Sequence, residues 1–137
     1  MDNKEIDKII LNIAKNKEQL SKLDYSDKKY DKLEDELHEL EDGFIEEYEE
    51  YFDDIFEIIY EKYNLKSEPL SPLAYIAASY KKSSSDKSGY DVDADQGILV
   101  GVDKAGNKCR LVIVPGPLRI LFLSSKEKQE AWKYSKE

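Results

Sequence analysis

Apolar residues recur every three or four positions through the first half of this chain and roughly every second position through its last third. Over residues 3–23, Ile6, Ile9, Ile10, Ile13, Leu20 and Leu23 mark a narrow helical stripe interrupted by Lys17. A second stripe runs Leu33, Leu37, Leu40, Phe44, Tyr48, Tyr51, Ile55 and Ile59, with Gly43 as its one weak point. Ser26 is placed to cap this helix, and Tyr25 and Tyr30 to close a hydrophobic staple over its first turn. The pattern therefore predicts one unbroken helix from Ser26 to about Tyr63, roughly 55 Å long at 1.5 Å per residue. Up to Leu40 the stripe suits a single helical neighbour; beyond it Ile45, Phe52, Phe56, Ile58 and Tyr60 widen it to suit a sheet. The first two helices are expected to form an antiparallel hairpin, with the far half of the second anchoring the core.

After Asn64 the period changes. "SPLAYIAASY" reads as a short helix, with Ser71 as cap and Pro72 in its first turn. "KKSSSDKSG", residues 81–89, has no apolar residue and reads as a mobile loop. Three strands follow at about 96–103, 107–114 and 118–123, the first two joined by the turn "DKAGNK" and the next two by "VPGPL". Ser124 and Glu127 have the spacing of a capping box, which predicts a terminal helix over roughly 125–135 carrying Trp132. The expected fold is α+β in one domain, residues 1–137: a helical hairpin (1–63), a short helix and loop (64–89), and a three-stranded antiparallel meander with a C-terminal helix (90–137).

A turn at 104–106 and a loop at 115–117 assign the sheet faces by alternation. One face receives Ile98, Val100, Val102, Val112, Val114, Leu118, Ile120 and Phe122; the other Gly97, Leu99, Gly101, Cys109, Leu111, Ile113, Leu121 and Leu123. Both are apolar, and the short helices offer little cover for the second. An uncovered apolar face favours a homodimer over a monomer.

Charge separates the two halves. Residues 1–63 hold 21 acids and 9 lysines, net −12; residues 64–137 hold 9 acids and 12 bases, net +3. An acidic chain lacks the basic footprint that nucleic acid requires, so nucleic acid is not the expected partner. The lone Cys109, a charged amino terminus and the lack of an ~18-residue apolar run point to a soluble cytoplasmic protein with no membrane segment.

Candidate chemistry is sparse. "DVDADQG" places Asp91, Asp93 and Asp95 at alternate positions, but a calcium loop starting at Asp91 would meet Gln96 at position six and Val102 at position twelve. His38, the one histidine, lies three residues after Asp35 without a second such step. Cys109 sits within an apolar strand, the place of a small buried hydrophobe rather than a nucleophile. No catalytic residue, metal ligand or cofactor is therefore expected. Arg110 and Arg119, the only arginines, are candidate anion-binding residues; the register above sends them to opposite faces, and a two-residue second loop would put them on the same face.

The most unusual segment is Glu34 to Glu57, with 13 acids and no Lys or Arg in 24 residues. It lacks the i,i+4 ion pairs that support exposed helices, so the apolar stripe must hold it. Glu39, Asp42, Glu46, Glu47, Glu49, Glu50, Asp53 and Asp54 are expected to face solvent together and to receive a basic protein partner. The sequence thus points first to a small non-catalytic interaction or regulatory protein. A small-ligand binder or enzyme with a pocket between helix and sheet is the alternative, and a structural subunit of an oligomer is a third reading.

Overall fold

The computed structural model describes residues 3–82, 89–124 and 127–134. Helix α1 spans Asn3–Ser21 and α2 spans Lys28–Lys62. The cap of α2 is Asp27 rather than Ser26: the Asp27 carboxylate accepts the Lys29 N–H at 2.9 Å. Tyr25 and Tyr30 do meet, with ring centroids 4.9 Å apart. The two helices pack along Ile6, Ile10, Ile13 and Ala14 of α1 and the stripe of α2 that begins at Leu37, all buried. At 35 residues against 19, α2 outreaches α1 by about 24 Å. Its free half carries Tyr51, Phe52, Phe56 and Tyr60 into the core against a sheet, whereas Ile58, expected to widen that face, is exposed.

That sheet has four strands in the order β3-β4-β5-β6, all antiparallel: β3 Ile98–Val102, β4 Lys108–Val114, β5 Arg119–Leu123 and β6 Lys128–Lys133. The expected C-terminal helix is replaced by β6. Ser124 and Glu127 still bond as their spacing implies, with Ser124 Oγ accepting the Glu127 N–H, but the Ser124 N–H donates to the Glu127 carbonyl, the closure of a hairpin. A short local motif fits both structures, and β5 supplies the long-range pairing that chooses. Trp132 pairs with Ile120 and meets Tyr51 of α2 edge-on at 6.0 Å.

The sheet faces also differ from simple alternation, for two reasons. The 104–106 turn is as expected, with the Asp103 N–H donating to the Asn107 carbonyl. A bulge between Leu99 and Gly101 then reverses β3, so that Ile98 pairs with Leu111 and Leu99 with Arg110. The β4–β5 loop is four residues long, pairing Val114 with Arg119. As a result Ile98, Val100, Cys109, Leu111, Ile113, Ile120 and Phe122 line the α2 side. Val112, Val114, Leu121 and Leu123 form a second, smaller core on the far side.

That far side is covered from within the chain. The expected helix at 71–80 shrinks to a 3-10 turn, Pro72–Tyr75, after which the chain runs extended. Ala77, Tyr80, Tyr90 and Val92 pack on the second core, and the short strands β1 (Lys81–Lys82) and β2 (Tyr90–Asp91) pair with each other. Tyr80 ties this cover down: its hydroxyl donates to the Ile113 carbonyl at 2.6 Å and accepts the Ala77 N–H at 3.0 Å. The expected mobile loop falls mostly on residues 83–88, which lie outside the described residues. The uncovered apolar face that favoured a homodimer is thus largely covered by the chain itself.

Candidate functional site

The acidic surface is built by α2 alone. At 100° per residue its eight carboxylates fall within an arc of about 160°, opposite the buried stripe of Leu37, Phe44, Tyr48, Phe52 and Ile55. Seven of the eight side chains are exposed, and Asp53 is half-buried. Among the described residues none of the eight forms an ion pair; the one acid of the segment that does, Glu41, faces α1 and meets Lys17 at 3.9 Å. The face is therefore an unneutralised field, held in shape by the packing behind it.

One edge of this field is a groove. Glu49, Asp53 and Glu57, one turn apart along α2, face Glu68, Pro69, Leu70 and Ser71 across a depression of about 650 Å³. Glu57 continues a row visible in the sequence. Glu68 and Leu70 are brought there by the way α2 ends, which spacing does not reveal. The Leu65 N–H donates to the Tyr60 carbonyl and the Asn64 N–H to the Glu61 carbonyl, with Asn64 at φ 54. This Schellman closure reverses the chain and sends it back along the helix. The Tyr75 hydroxyl anchors the return, accepting the Leu70 N–H at 2.9 Å and lying 2.6 Å from the Tyr60 hydroxyl. Burial, then the bond to Tyr75, pushes the Tyr60 phenol well above its ordinary range.

A second concavity opens where α2 stops short of the sheet. Tyr63 stacks on Phe122 with centroids 4.4 Å apart, and beyond that pair the floor is Val100, Cys109 and Phe122. Asn64 to Ser67 form one wall and Ser124, Glu127 and Gln129 the other, enclosing about 650 Å³. Gln129 accepts a bond from the Tyr63 hydroxyl at 3.2 Å. Cys109 is buried here, and burial pushes its thiol pKa up, away from thiolate reactivity. His38 lies 25 residues before Tyr63 on the same helix, roughly 37 Å away at 1.5 Å per residue, so the two are not brought together.

Arg110 and Arg119 share the second face, but four positions along β4 separate Arg110 from the Val114 that pairs with Arg119, roughly 13 Å. Arg119 donates to the carbonyls of Tyr90 at 2.7 Å, Pro117 at 2.9 Å and Pro115 at 3.3 Å. It pins β2 and the β4–β5 loop to the sheet. Arg110 reaches the Gly97 carbonyl at 3.4 Å. The two guanidiniums do not converge on one ligand.

The aspartates of "DVDADQG" also diverge. Asp91 meets Lys128 at 3.3 Å and Asp93 meets Lys81 at 2.8 Å, while Asp95 lies beside Gln96. Burial raises the Asp91 pKa, but the Val92 N–H, Lys128 and Arg119 outweigh it and hold the carboxyl below its ordinary value. Between the three aspartates Val92 is buried and Ala94 is exposed in a turn. Among the described residues no three His, Cys, Asp or Glu side chains group closely enough to hold a metal ion, and no helix is long and apolar enough to cross a membrane. No protein-family profile, curated protein or solved structure matches this chain.

Proposed function

We propose that this protein is a small non-catalytic interaction or regulatory protein of the cytoplasm that receives a basic protein partner on the solvent face of α2. The observation that supports this reading is the combination of eight carboxylates on one helix face with no ion pair to any of them among the described residues. Such a field attracts a basic partner over roughly 10 Å at 0.1 M salt. The bordering groove adds shape and an apolar contact, because Leu70 is 49% exposed beside Glu49, Asp53 and Glu57. Charge would steer the encounter, and the desolvated groove would hold the complex.

The test replaces Glu46, Glu49, Glu50 and Asp53 together by Gln or Asn and compares affinity capture with the wild-type chain at low and high salt. The reading expects a basic protein that binds the wild type, elutes with salt and fails to bind the variant. A partner retained by the variant with unchanged affinity and salt dependence would leave the acidic face a solvated surface only.

The cleft beyond Tyr63 supports a second reading, a small-ligand site, because its volume lies within the range of about 300–1,000 Å³ usual for such sites. A fragment library that shifts the amide resonances of Gly101, Phe122 and Gln129 together would favour it; no such fragment would remove it.

A further inference from the structure

The four-stranded sheet has two edges, and they are built differently. Strand β6 carries Lys128, Glu130 and Lys133, charges of the kind that keep an edge from pairing with another chain. Strand β3 is Ile-Leu-Val-Gly-Val, without a charge or a proline. Because of the bulge at Val100, Leu99 and Val102 both point to the far side of the sheet, where Ala77, Tyr80, Tyr90 and Val92 pack on the residues of β4 and β5. They are 48% and 62% exposed, two of the five large apolar side chains left exposed among the described residues.

We propose that β3 is the contact between two copies of this chain, paired antiparallel across a two-fold axis near Val100. The geometry favours a second copy over an unrelated strand. Self-pairing of this edge sets Leu99 of one copy opposite Val102 of the other, and does so twice, so each exposed pair is covered by its own counterpart. The charges at the strand ends agree. Asp95 lies three residues before β3 and Lys104 two residues after it, both exposed and neither in an ion pair among the described residues. Antiparallel pairing brings Asp95 of one copy to the end of the strand where Lys104 of the other lies. The bulge interrupts the ladder, so regular bonds are confined to its flanks and the apolar pairs carry much of the contact. A five-residue edge is short for a stable interface of ~1,200 Å² or more, so the dimer is expected to be weak and concentration-dependent.

Sedimentation velocity of the full chain across micromolar to high-micromolar concentration tests this. The expected result is a shift from 15.9 kDa towards twice that mass as concentration rises. Val102→Lys should weaken the dimer about tenfold or more, because it places a charge in the apolar contact. Asp95→Lys should weaken it as well, and adding Lys104→Asp to that variant should restore it; both positions lie outside the sheet, so this arm does not depend on the strand tolerating a substitution. Circular dichroism of each variant confirms the fold. A chain that stays at the monomer mass throughout, or a dimer whose dissociation constant is unchanged in Val102→Lys, overturns the proposal.

Discussion

Two glycines show how differently one residue type acts at different places in this chain. Gly97 has φ +92, and a Cβ there would stand 2.3 Å from the Leu111 carbonyl oxygen, a distance that only a backbone shift relieves. Gly43 lies within α2 with nothing within 4 Å of its Cβ position. We expect Gly97→Ala to cost about 2 kcal/mol or more, from strain and overpacking together. Gly43→Ala should stabilise by about 0.5–1 kcal/mol through helix propensity. Urea unfolding of the two variants checks both signs. Asp91 adds a pH dependence. Its folded pKa lies below the unfolded value of about 3.9, so its contribution is complete above about pH 4 and is lost as pH falls through the folded pKa. The stability difference between wild type and Asp91→Ala should therefore be largest near neutrality and shrink in acid. A difference that grows below pH 4 would contradict this assignment.

At the level of elements, the two ends of α2 carry different weight. Its start is capped by Asp27 on an exposed turn, whereas its end directs the return loop that shapes both concavities. Asn64 holds a left-handed conformation that disfavours a branched side chain, so Asn64→Val should cost about 1–2 kcal/mol. Because the return loop carries Leu70 to Tyr75, hydrogen exchange at the Leu70 amide should rise in that variant more than exchange within β4. The strand β6 teaches the opposite lesson. Its sequence holds a helix-start motif and a helix-compatible composition, yet pairing with β5 and the contact of Trp132 with Tyr51 outweigh local preference.

Across the whole molecule, charge is segregated rather than balanced. The acidic face sits on one helix that is held by the packing of Phe44, Phe52 and Phe56 rather than by ion pairs on its own surface. Its like charges repel more strongly in the folded helix than in an extended chain. Added salt should therefore raise the melting temperature of the wild type, because repulsion is screened within about 10 Å at 0.1 M. The increment should be smaller in the variant with Glu46, Glu49, Glu50 and Asp53 neutralised, which should also melt higher at low salt. Equal salt increments in the two would show that repulsion on this face does not matter to stability.

The sequence by itself determined what depends on neighbours in the chain. Helix α2, its buried stripe and its acidic face follow from a period of 3.6, and the 104–106 turn follows from local turn chemistry. The α+β class is readable for the same reason, since a change of period needs no tertiary information. What only the tertiary structure decided depends on partners far along the chain. The bulge at Val100 and the fourth residue of the β4–β5 loop reassigned the sheet faces, because a one-residue slip turns every following side chain over. The terminal segment became a strand because an open edge of β5 was there to pair with it. The return loop after Asn64 and the extended stretch from Ile76 to Tyr80 were settled by hydroxyls of Tyr75 and Tyr80 that reach backbone groups of Leu70, Ala77 and Ile113. Those bonds join segments whose closeness exists only once the core has formed.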